Sequence, residues 1–208
     1  MDIKIKNLIK KYNGQIIFNG VDMVFKRGLI SVISGPSGIG KTTILNILSG
    51  IDNDYEGTVL GVDKEKISYV FQEPRLLDHL TAYENIKFVL NKKLDFDKIE
   101  ETINKVLETV ELTEYKSFYP NELSGGMKQR VSIARAFAYP GDLILMDEPF
   151  SGIDEKLKMQ MMRDIKKLQK KQMKTIVFVT HNMEEARFIG DEHYIIEGRP
   201  SIIRKQVK

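Results

Sequence analysis

The sequence predicts an α/β fold organised around a parallel sheet. Leu29–Ser34 is almost continuously apolar, which is typical of a strand that is covered on both faces. In the last third of the chain, strand-like and helix-like segments alternate. Because consecutive parallel strands are joined by crossover connections, usually helices, this alternation favours a parallel sheet with helices packed against it.

Short strands are expected throughout the first third of the chain. The alternation of apolar and polar residues over Met1–Lys6 is typical of a strand and differs from the charged and then apolar start of a signal peptide. The predicted strands are Ile3–Ile9, Val21–Phe25, Leu29–Ser34 and Ile67–Phe71.

The middle of the chain, about residues 75–139, is expected to be mostly helical. Thr81 and Glu84 have the spacing of a capping box, and Asp97 with Glu100 has the same spacing at the start of a second helix. Apolar residues then recur at helical intervals, at Ile99, Ile103, Val106, Leu107 and Val110.

The last third predicts two more strands and two more helices. Leu143–Met146 is expected to be a short buried strand, and Asp154 to cap a long polar helix that ends at about Lys171. Thr175–Thr180 is the next predicted strand, and Asn182 with Glu185 begins a short helix.

Composition limits the class of protein. The 208 residues are 42% hydrophobic and 29% charged, which indicates a soluble globular chain of one domain. The absence of cysteine excludes disulfides, cysteine-bound zinc and a cysteine nucleophile. The net charge of +3 is too small to indicate a nucleic-acid partner, and no apolar run approaches the roughly 18 residues of a membrane span.

A phosphate-binding loop is the first motif with a chemical meaning. Residues 35–42 match G-x-x-x-x-G-K-[ST], with a predicted strand before them and a helix after them. Glycines allow backbone N–H groups to approach a phosphate, Lys41 supplies positive charge, and the Thr42 hydroxyl can bind Mg²⁺. The predicted nucleotide-binding residues in this segment are Gly35, Pro36, Ser37, Gly38, Ile39, Gly40, Lys41, Thr42 and Thr43.

Two adjacent acids end the strand predicted at Leu143–Met146. Ligands of parallel sheets bind at the ends of strands, where Asp147 can hold Mg²⁺ through water. Glu148 can act on a water beyond the terminal phosphate as a general base, an effect of about 10²–10⁴-fold in rate.

A second glycine-rich helix start follows Leu123. Ser124 is a good N-cap, and Gly125 and Gly126 give access to the backbone of the helix that follows. By itself this segment could be a capped surface helix, since one nucleotide does not need two such sites.

The order of these motifs resembles that of the ATP-binding cassette (ABC) ATPases over essentially the whole chain. Residues 123–130 resemble the signature motif of that family, residues 35–42 its Walker A motif, and residues 143–148 its Walker B motif. Further matches are Tyr12 to the A-loop aromatic residue, Gln72 to the Q-loop glutamine, Ser151–Asp154 to the D-loop and His181 to the H-loop histidine. The D-loop departs from the family pattern at Gly152 and Ile153 but keeps Asp154.

The resemblance implies a P-loop NTPase fold with a parallel-sheet core, an N-terminal antiparallel β subdomain and an inserted α-helical subdomain. In this arrangement residues 1–208 form one domain, in which residues 1–74 and 140–208 are the ATP-binding core and residues 75–139 the helical subdomain with the signature motif. The family pattern leads us to expect no regulatory C-terminal domain, because only about 27 residues follow His181.

The resemblance also assigns roles. Tyr12 would stack on adenine, while Glu148, His181 and Gln72 would be catalytic. Thr42, Gln72 and Asp147 would hold Mg²⁺, so the implied ligands are ATP and Mg²⁺. Two copies would pack head-to-tail as a homodimer in the ATP-bound state, so that Ser124, Gly125 and Gly126 of one copy would face the γ phosphate held by Lys41 of the other.

Finer features resemble the nitrate/sulfonate/taurine importer branch. An importer subunit would lie on the cytoplasmic face of the cell membrane, bound to transmembrane permease subunits that receive solute from a substrate-binding protein. The segments with this resemblance are Glu73–Leu77, Leu80–Thr81, Glu84–Asn85, Ser124–Met127, Asp147–Phe150 and Gly198–Pro200.

Three alternatives remain at this stage. An ABC ATPase partner of an export or cell-division complex differs little in sequence from an importer subunit. A soluble ABC ATPase acting on DNA or ribosomes would usually carry a long coiled-coil insertion or two cassettes. A P-loop kinase would leave residues 123–130 and His181 without a role.

Overall fold

The computed structural model describes residues 1–90, 95–198 and 200–206, and these ranges form two sheets with helices between and around them. The strands are β1 Ile3–Tyr12, β2 Gln15–Phe25, β3 Ile30–Ser34, β4 Glu56–Leu60, β5 Ile67–Val70, β6 Leu143–Asp147, β7 Thr175–Thr180, β8 Glu192–Glu197 and β9 Ile202–Gln206. The α-helices are α1 Lys41–Ser49, α2 Ala82–Phe88, α3 Phe96–Thr109, α4 Gly125–Ala138, α5 Glu155–Gln172 and α6 Met183–Ile189.

The larger sheet has the order β5-β6-β7-β3-β8-β9. Its first five strands are parallel, and β9 pairs antiparallel with β8 at the edge. The smaller sheet has the order β2-β1-β4 and is antiparallel. The α/β class, the parallel core and the antiparallel N-terminal sheet that the sequence predicts are therefore confirmed.

The central strands separate two hydrophobic cores because their side chains alternate between the faces of the sheet. Ile144 and Met146 of β6 pack with α2–α5 on one face, whereas Leu143 and Leu145 pack with α1 and the antiparallel sheet on the other. This two-sided burial explains why β3, β6 and β7 are almost continuously apolar in sequence. Because β6, β7 and β3 are parallel neighbours, their carboxyl ends lie side by side.

Helix boundaries follow the predicted capping residues with one exception. The Thr81 hydroxyl accepts a hydrogen bond from Glu84 N, and Glu84 accepts one from Thr81 N, which confirms the capping box of α2. The prediction that Asp97 and Glu100 begin α3 is wrong, because the helix begins at Phe96 with Asp95 as its N-cap residue. The periodic residues Ile99 to Val110 are buried as expected.

Several strands differ from the prediction. β1 and β2 are longer than expected and form a hairpin, while β4, β8 and β9 were not predicted. β4 is mostly exposed and therefore lacks the apolar pattern of a buried strand. Arg199, within the segment Gly198–Pro200, and residues 91–94 of the expected helical subdomain lie outside the described residues.

Within the described ranges, no helix combines the length and the apolar composition that crossing a membrane requires.

Candidate functional site

The phosphate loop connects β3 to α1, as the sequence predicts. Gly40 is the N-cap residue of α1 and has a φ of 111°, in the region that favours glycine. A Cβ atom on Gly40 would lie 2.8 Å from both Ile17 Cγ2 and Phe18 Cζ. Glycine is therefore required here both by backbone conformation and by the close approach of β2.

Lys41 is nearly buried although it carries a charge, with 4% of its surface exposed. Its Nζ donates hydrogen bonds to the carbonyl oxygens of Gly35, at 2.9 Å, and Pro36, at 3.0 Å. The Glu148 carboxylate lies 3.4 Å from the same nitrogen. The loop thus folds around the Lys41 ammonium and holds it beside the carboxylates at the end of β6.

Thr42 and Asp147 meet at the end of β6. The Thr42 hydroxyl donates to Asp147 Oδ1 at 3.0 Å. Burial raises the pKa of Asp147, the hydrogen bond from Thr42 opposes this, and the neighbouring charge of Glu148 raises the pKa further. Because burial disfavours the ionised form of Asp147, a nearby cation would stabilise its carboxylate.

These oxygen atoms suit Mg²⁺, which prefers one or two carboxylate or hydroxyl ligands together with substrate phosphates and water. In the described ranges, no group of three or more His, Cys, Asp and Glu residues is placed to hold a metal ion. A magnesium ion here would therefore need phosphate oxygens and water as further ligands. Gln72, the third predicted ligand, donates from Nε2 to the Ser151 hydroxyl at 3.2 Å.

Glu148 is held between two basic side chains. His181 Nδ1 lies 2.8 Å from Glu148 Oε2, and Lys41 lies near the other carboxylate oxygen, Oε1. The backbone of Glu148 has a φ of 42°, which is uncommon for a residue other than glycine. Unusual backbone conformations concentrate at functional sites, where the surrounding structure has to support them.

A cavity of about 370 Å³ unites most of the predicted nucleotide-binding residues. Gly35, Pro36 and Ile39 belong to the same loop but do not line it. The lining residues are Tyr12, Ile17, Ser37, Gly38, Gly40, Lys41, Thr42, Thr43, Gln72, Asp147 and Glu148. Ile17 has no motif to identify it, because it is an ordinary aliphatic residue of β2 and reaches the site through tertiary packing.

Tyr12 lies at the rim of this cavity and is 45% exposed. Its hydroxyl donates to Asp52 Oδ2 at 2.7 Å. Asp52 follows α1 in the chain and was not identified from the sequence. His181 lies outside the cavity, in a smaller neighbouring one of about 150 Å³ that it shares with Glu148.

The signature segment lies at a different cavity of the same chain. Ser124 is the N-cap of α4 and accepts a hydrogen bond from Met127 N at 3.3 Å. Ser124, Gly125 and Gly126 line a cavity of about 510 Å³ together with residues 151–154. Of the residues lining this cavity and the 370 Å³ cavity, Gln72 is common to both.

Gly126 allows the signature helix to pack closely against α5. A Cβ atom at this position would lie 2.3 Å from Leu157 Cδ2. A larger residue here would require the Leu157 side chain to move, so Gly126 lets Leu157 pack directly against the start of α4.

Comparison with known proteins identifies the family. The family model for the ABC transporter matches residues 18–151. This chain belongs to the ABC transporter family. The matched range includes the phosphate loop, Gln72, the signature segment and the acids at the end of β6.

Two curated relatives of similar sequence are import ATP-binding proteins. The chain is 37% identical over 201 residues to the Fe(3+) ions import ATP-binding protein FbpC of Fusobacterium nucleatum, covering 92% of this chain and 54% of the relative. It is 37% identical to the spermidine/putrescine import ATP-binding protein PotA of Clostridium acetobutylicum, covering 91% of this chain and 56% of the relative. The chain thus spans little more than half the length of these relatives.

Solved structures of ABC cassettes share the fold. The dimeric structure of MJ0796, a bacterial ABC transporter cassette, has a TM-score of 0.81 at 34% identity, covering 93% of both chains. A dimeric post-hydrolysis state of MJ0796 bound to ADP and Pi has a TM-score of 0.84 at 32% identity, covering 98% of this chain and 97% of the other.

Proposed function

We propose that this chain is the ATP-binding subunit of an ABC importer and hydrolyses ATP to ADP and phosphate. The observation that carries the proposal is the 370 Å³ cavity in which Lys41, Thr42, Asp147 and Glu148 converge at the start of α1. A helix start lined with glycine, a buried ammonium and two carboxylates together suit a polyphosphate with its magnesium ion.

Residues of the cavity and the neighbouring His181 have separate roles in hydrolysis. Lys41 binds the β and γ phosphates. Thr42, Asp147 and Gln72 would hold Mg²⁺, which would supply positive charge to the phosphate oxygens. Glu148 positions or deprotonates the attacking water, and His181 holds the Glu148 carboxylate in place through the 2.8 Å contact and binds the γ phosphate.

Two copies complete each active site in this proposal. Ser124, Gly125 and Gly126 line a cavity separate from that of Lys41 within one chain, so a second copy supplies them to the γ phosphate. ATP presents that phosphate to both copies and ADP does not. The closed homodimer therefore depends on a difference in binding between the two nucleotides.

The domain organisation follows the same division. Residues 1–74 and 140–208 form the ATP-binding core, and residues 75–139 form the helical subdomain that carries the signature. A permease would contact the groove between them, near Gln72. A cavity of about 280 Å³ lined by Tyr69, Val89 and Arg135 lies at the boundary between these two parts of the chain.

The partners and location are those of an importer subunit. We propose transmembrane permease subunits as direct partners, a substrate-binding protein as an indirect one, and a peripheral position on the cytoplasmic face of the membrane. Relatives are named for import of Fe(3+) ions, sulfate/thiosulfate and spermidine/putrescine, the sulfate/thiosulfate protein being 36% identical over 92% of this chain and 58% of its own length.

The nitrate/sulfonate/taurine branch is the finer proposal for the solute. It depends on the resemblance of segments such as Glu73–Leu77 and Asp147–Phe150. Since solute contacts in importers lie in other subunits, the permease that purifies with this chain decides between this branch and those of the relatives.

Calorimetric titration with MgATP tests the proposal. Replacing the Lys41 ammonium in Lys41→Ala should weaken ATP binding by about 10–100-fold, because charge-assisted hydrogen bonds to phosphate contribute roughly 1.5–3 kcal/mol. Lys167→Ala, at an exposed lysine of α5, is the matched control and should bind as the wild type does. An equal dissociation constant for Lys41→Ala would contradict the phosphate-loop assignment.

A further inference from the structure

A buried lysine lies next to the aromatic residue at the rim of the nucleotide cavity. Lys10, near the end of β1, is 2% exposed. Its Nζ donates to Asp52 Oδ1 at 2.9 Å and to the backbone carbonyl of Asp54. Lysine is rarely buried to this extent unless it has a specific partner, and the partners of Lys10 lie beside the nucleotide cavity rather than in the core.

Asp52 joins the lysine to the tyrosine. One carboxylate oxygen accepts from Lys10, and the other accepts from the Tyr12 hydroxyl at 2.7 Å. Burial would raise the pKa of Asp52, but the hydrogen bonds from Tyr12 and Lys10 outweigh burial and hold the pKa below its usual value. Asp52 is therefore a charged acceptor that binds both groups.

The Tyr12 ring is held at two points. Its hydroxyl is bound by Asp52, and the Lys10 ammonium lies 4.5 Å from the ring centroid, within the range of a cation–π interaction. The ring nevertheless remains 45% exposed and borders the 370 Å³ cavity. An aromatic face is thus kept in a fixed orientation beside a polyphosphate site.

We propose that the Lys10–Asp52 ion pair is a positioning device that fixes the Tyr12 ring for stacking on the nucleotide base. This inference rests on the proposed function and extends it to two residues that do not touch the nucleotide themselves. A ring fixed beforehand loses less conformational freedom when the base binds, which strengthens binding of the base without changing the phosphate contacts.

A structural role makes a different prediction. If the ion pair serves only to attach the segment 52–54 to β1, its loss should affect stability or the phosphate loop, and hence every phosphate ligand equally. The positioning role affects only ligands that have a base. The ratio of the affinities for MgATP and for magnesium tripolyphosphate, which has no base, separates the two roles.

Tyr12→Phe carries the test because it removes the hydroxyl and keeps the ring. We expect its affinity for MgATP to fall about fivefold, as for loss of one hydrogen bond, with unchanged affinity for magnesium tripolyphosphate. Asp52→Asn should shift the ratio in the same direction. The double variant should be no weaker than the weaker single variant, because both changes act through one contact. Tyr115→Phe, at an exposed tyrosine before the signature segment, is the matched control.

Two results would overturn the inference: wild-type affinity for MgATP in Tyr12→Phe, or an equal loss of affinity for both ligands. Failure of the proposed function would look different. In that case the wild type would bind neither ligand, or Lys41→Ala would bind both as tightly as the wild type.

Discussion

Glu148 illustrates how single residues are arranged for chemistry at the expense of local stability. Its backbone adopts a φ of 42°, and its carboxylate lies between Lys41 and His181. Its backbone N–H is bound to the Val179 carbonyl at 3.0 Å, so β7 supports the unusual conformation. The residue is thereby directed to the space beside the phosphate loop.

Glu148→Gln should slow ATP hydrolysis at least tenfold while ATP remains bound. Glutamine has the shape of glutamate and can still form a hydrogen bond with His181, but it cannot accept a proton from water. Steady-state phosphate release together with calorimetric ATP binding measures the two effects separately. Unchanged turnover would remove Glu148 from the proposed chemistry.

Asp147→Asn should raise the stability of the nucleotide-free chain and greatly reduce Mg²⁺-dependent hydrolysis. Since burial raises the pKa of Asp147 in the folded chain, its ionised form reduces the free energy of unfolding at neutral pH. This cost begins to decrease as the pH falls through the folded-state pKa and is gone below the ordinary pKa of aspartate. Asparagine can still accept the hydrogen bond from Thr42 but carries no charge.

Thermal unfolding in the presence of a chelator, followed by circular dichroism at pH 7, checks the stability effect. Thr42→Val, which removes the hydrogen bond but leaves the Asp147 charge in place, is the comparison and should lower the midpoint. A lower midpoint for Asp147→Asn would contradict the argument.

At the scale of secondary structure, α4 connects the signature segment to the segment around Gln72. Gln129 Nε2 donates to the Phe71 carbonyl at 3.2 Å. Arg135 donates to the carbonyl oxygens of Pro74 and Arg75, both at 3.1 Å. These hydrogen bonds tie residues 71–75 to α4, whose N-terminus carries Ser124.

Lys174 makes the contact between the start of β7 and the loop that connects α4 to β6 dependent on pH. It is buried and donates to the carbonyl oxygens of Tyr139, at 2.5 Å, and Gly141, at 2.7 Å. Burial lowers the pKa of Lys174 to about 8, opposed by the charge of Asp142. Between pH 8 and the ordinary lysine pKa, the unfolded chain therefore holds a proton that the folded chain has lost.

The contribution of Lys174 to stability should therefore increase as the pH rises from 8 to 10. Below pH 8 the full cost of burying the charge is present. We expect the free energy of unfolding of the wild type, relative to Lys174→Met, to increase by about 1–3 kcal/mol over this interval. Urea titrations at several pH values measure it, and Lys170→Met, at an exposed lysine of α5, is the control. A difference that stays constant with pH would contradict this prediction.

Elements were predictable where local pattern and burial agree. β3, β6 and β7 are covered on both faces, so their apolar runs mark them in the sequence. β4 is largely exposed, and β9 lies at the edge of the sheet with one neighbour, so neither has an apolar pattern. β4 forms by pairing with β1, which is distant in sequence. β9 forms by pairing with β8, whose composition does not mark it as a strand.

The candidate site shows the same limit. Lys41, Thr42, Asp147 and Glu148 lie in short motifs, so the sequence predicts them together. The contacts of Tyr12 with Asp52 and of Gly40 with Ile17 join residues without a shared motif. Such contacts arise from the docking of the antiparallel sheet on α1, which local sequence does not encode.

At the scale of the whole molecule, the two glycine-rich helix starts face different cavities. The phosphate loop opens on the 370 Å³ cavity and the signature on the 510 Å³ cavity. In the proposed function, a single chain therefore offers each nucleotide one set of phosphate contacts and presents a second set elsewhere on its surface. Head-to-tail association of two copies would bring one set of each kind together on each ATP.

Ser124→Arg should prevent ATP-dependent dimerisation in the Glu148→Gln background. Because Glu148→Gln retains ATP, it should accumulate the closed dimer, which sedimentation velocity detects. An arginine at Ser124 would place a long side chain at the helix start that has to meet the γ phosphate of the second copy. The expected result is a dimer for Glu148→Gln with MgATP and a monomer for the double variant.

The control has to separate loss of the interface from loss of the helix cap. Replacing an N-cap serine typically costs about 1 kcal/mol of helix stability, and Ser124 caps α4 through Met127 N. Ser124→Thr keeps the capping hydroxyl and should still dimerise. ATP binding by the double variant, measured in parallel, reports on the phosphate loop, which lies in the other cavity. If Ser124→Arg with bound ATP dimerises as fully as the parent, the signature does not meet the nucleotide of a second copy, and each chain must act on ATP with its own residues.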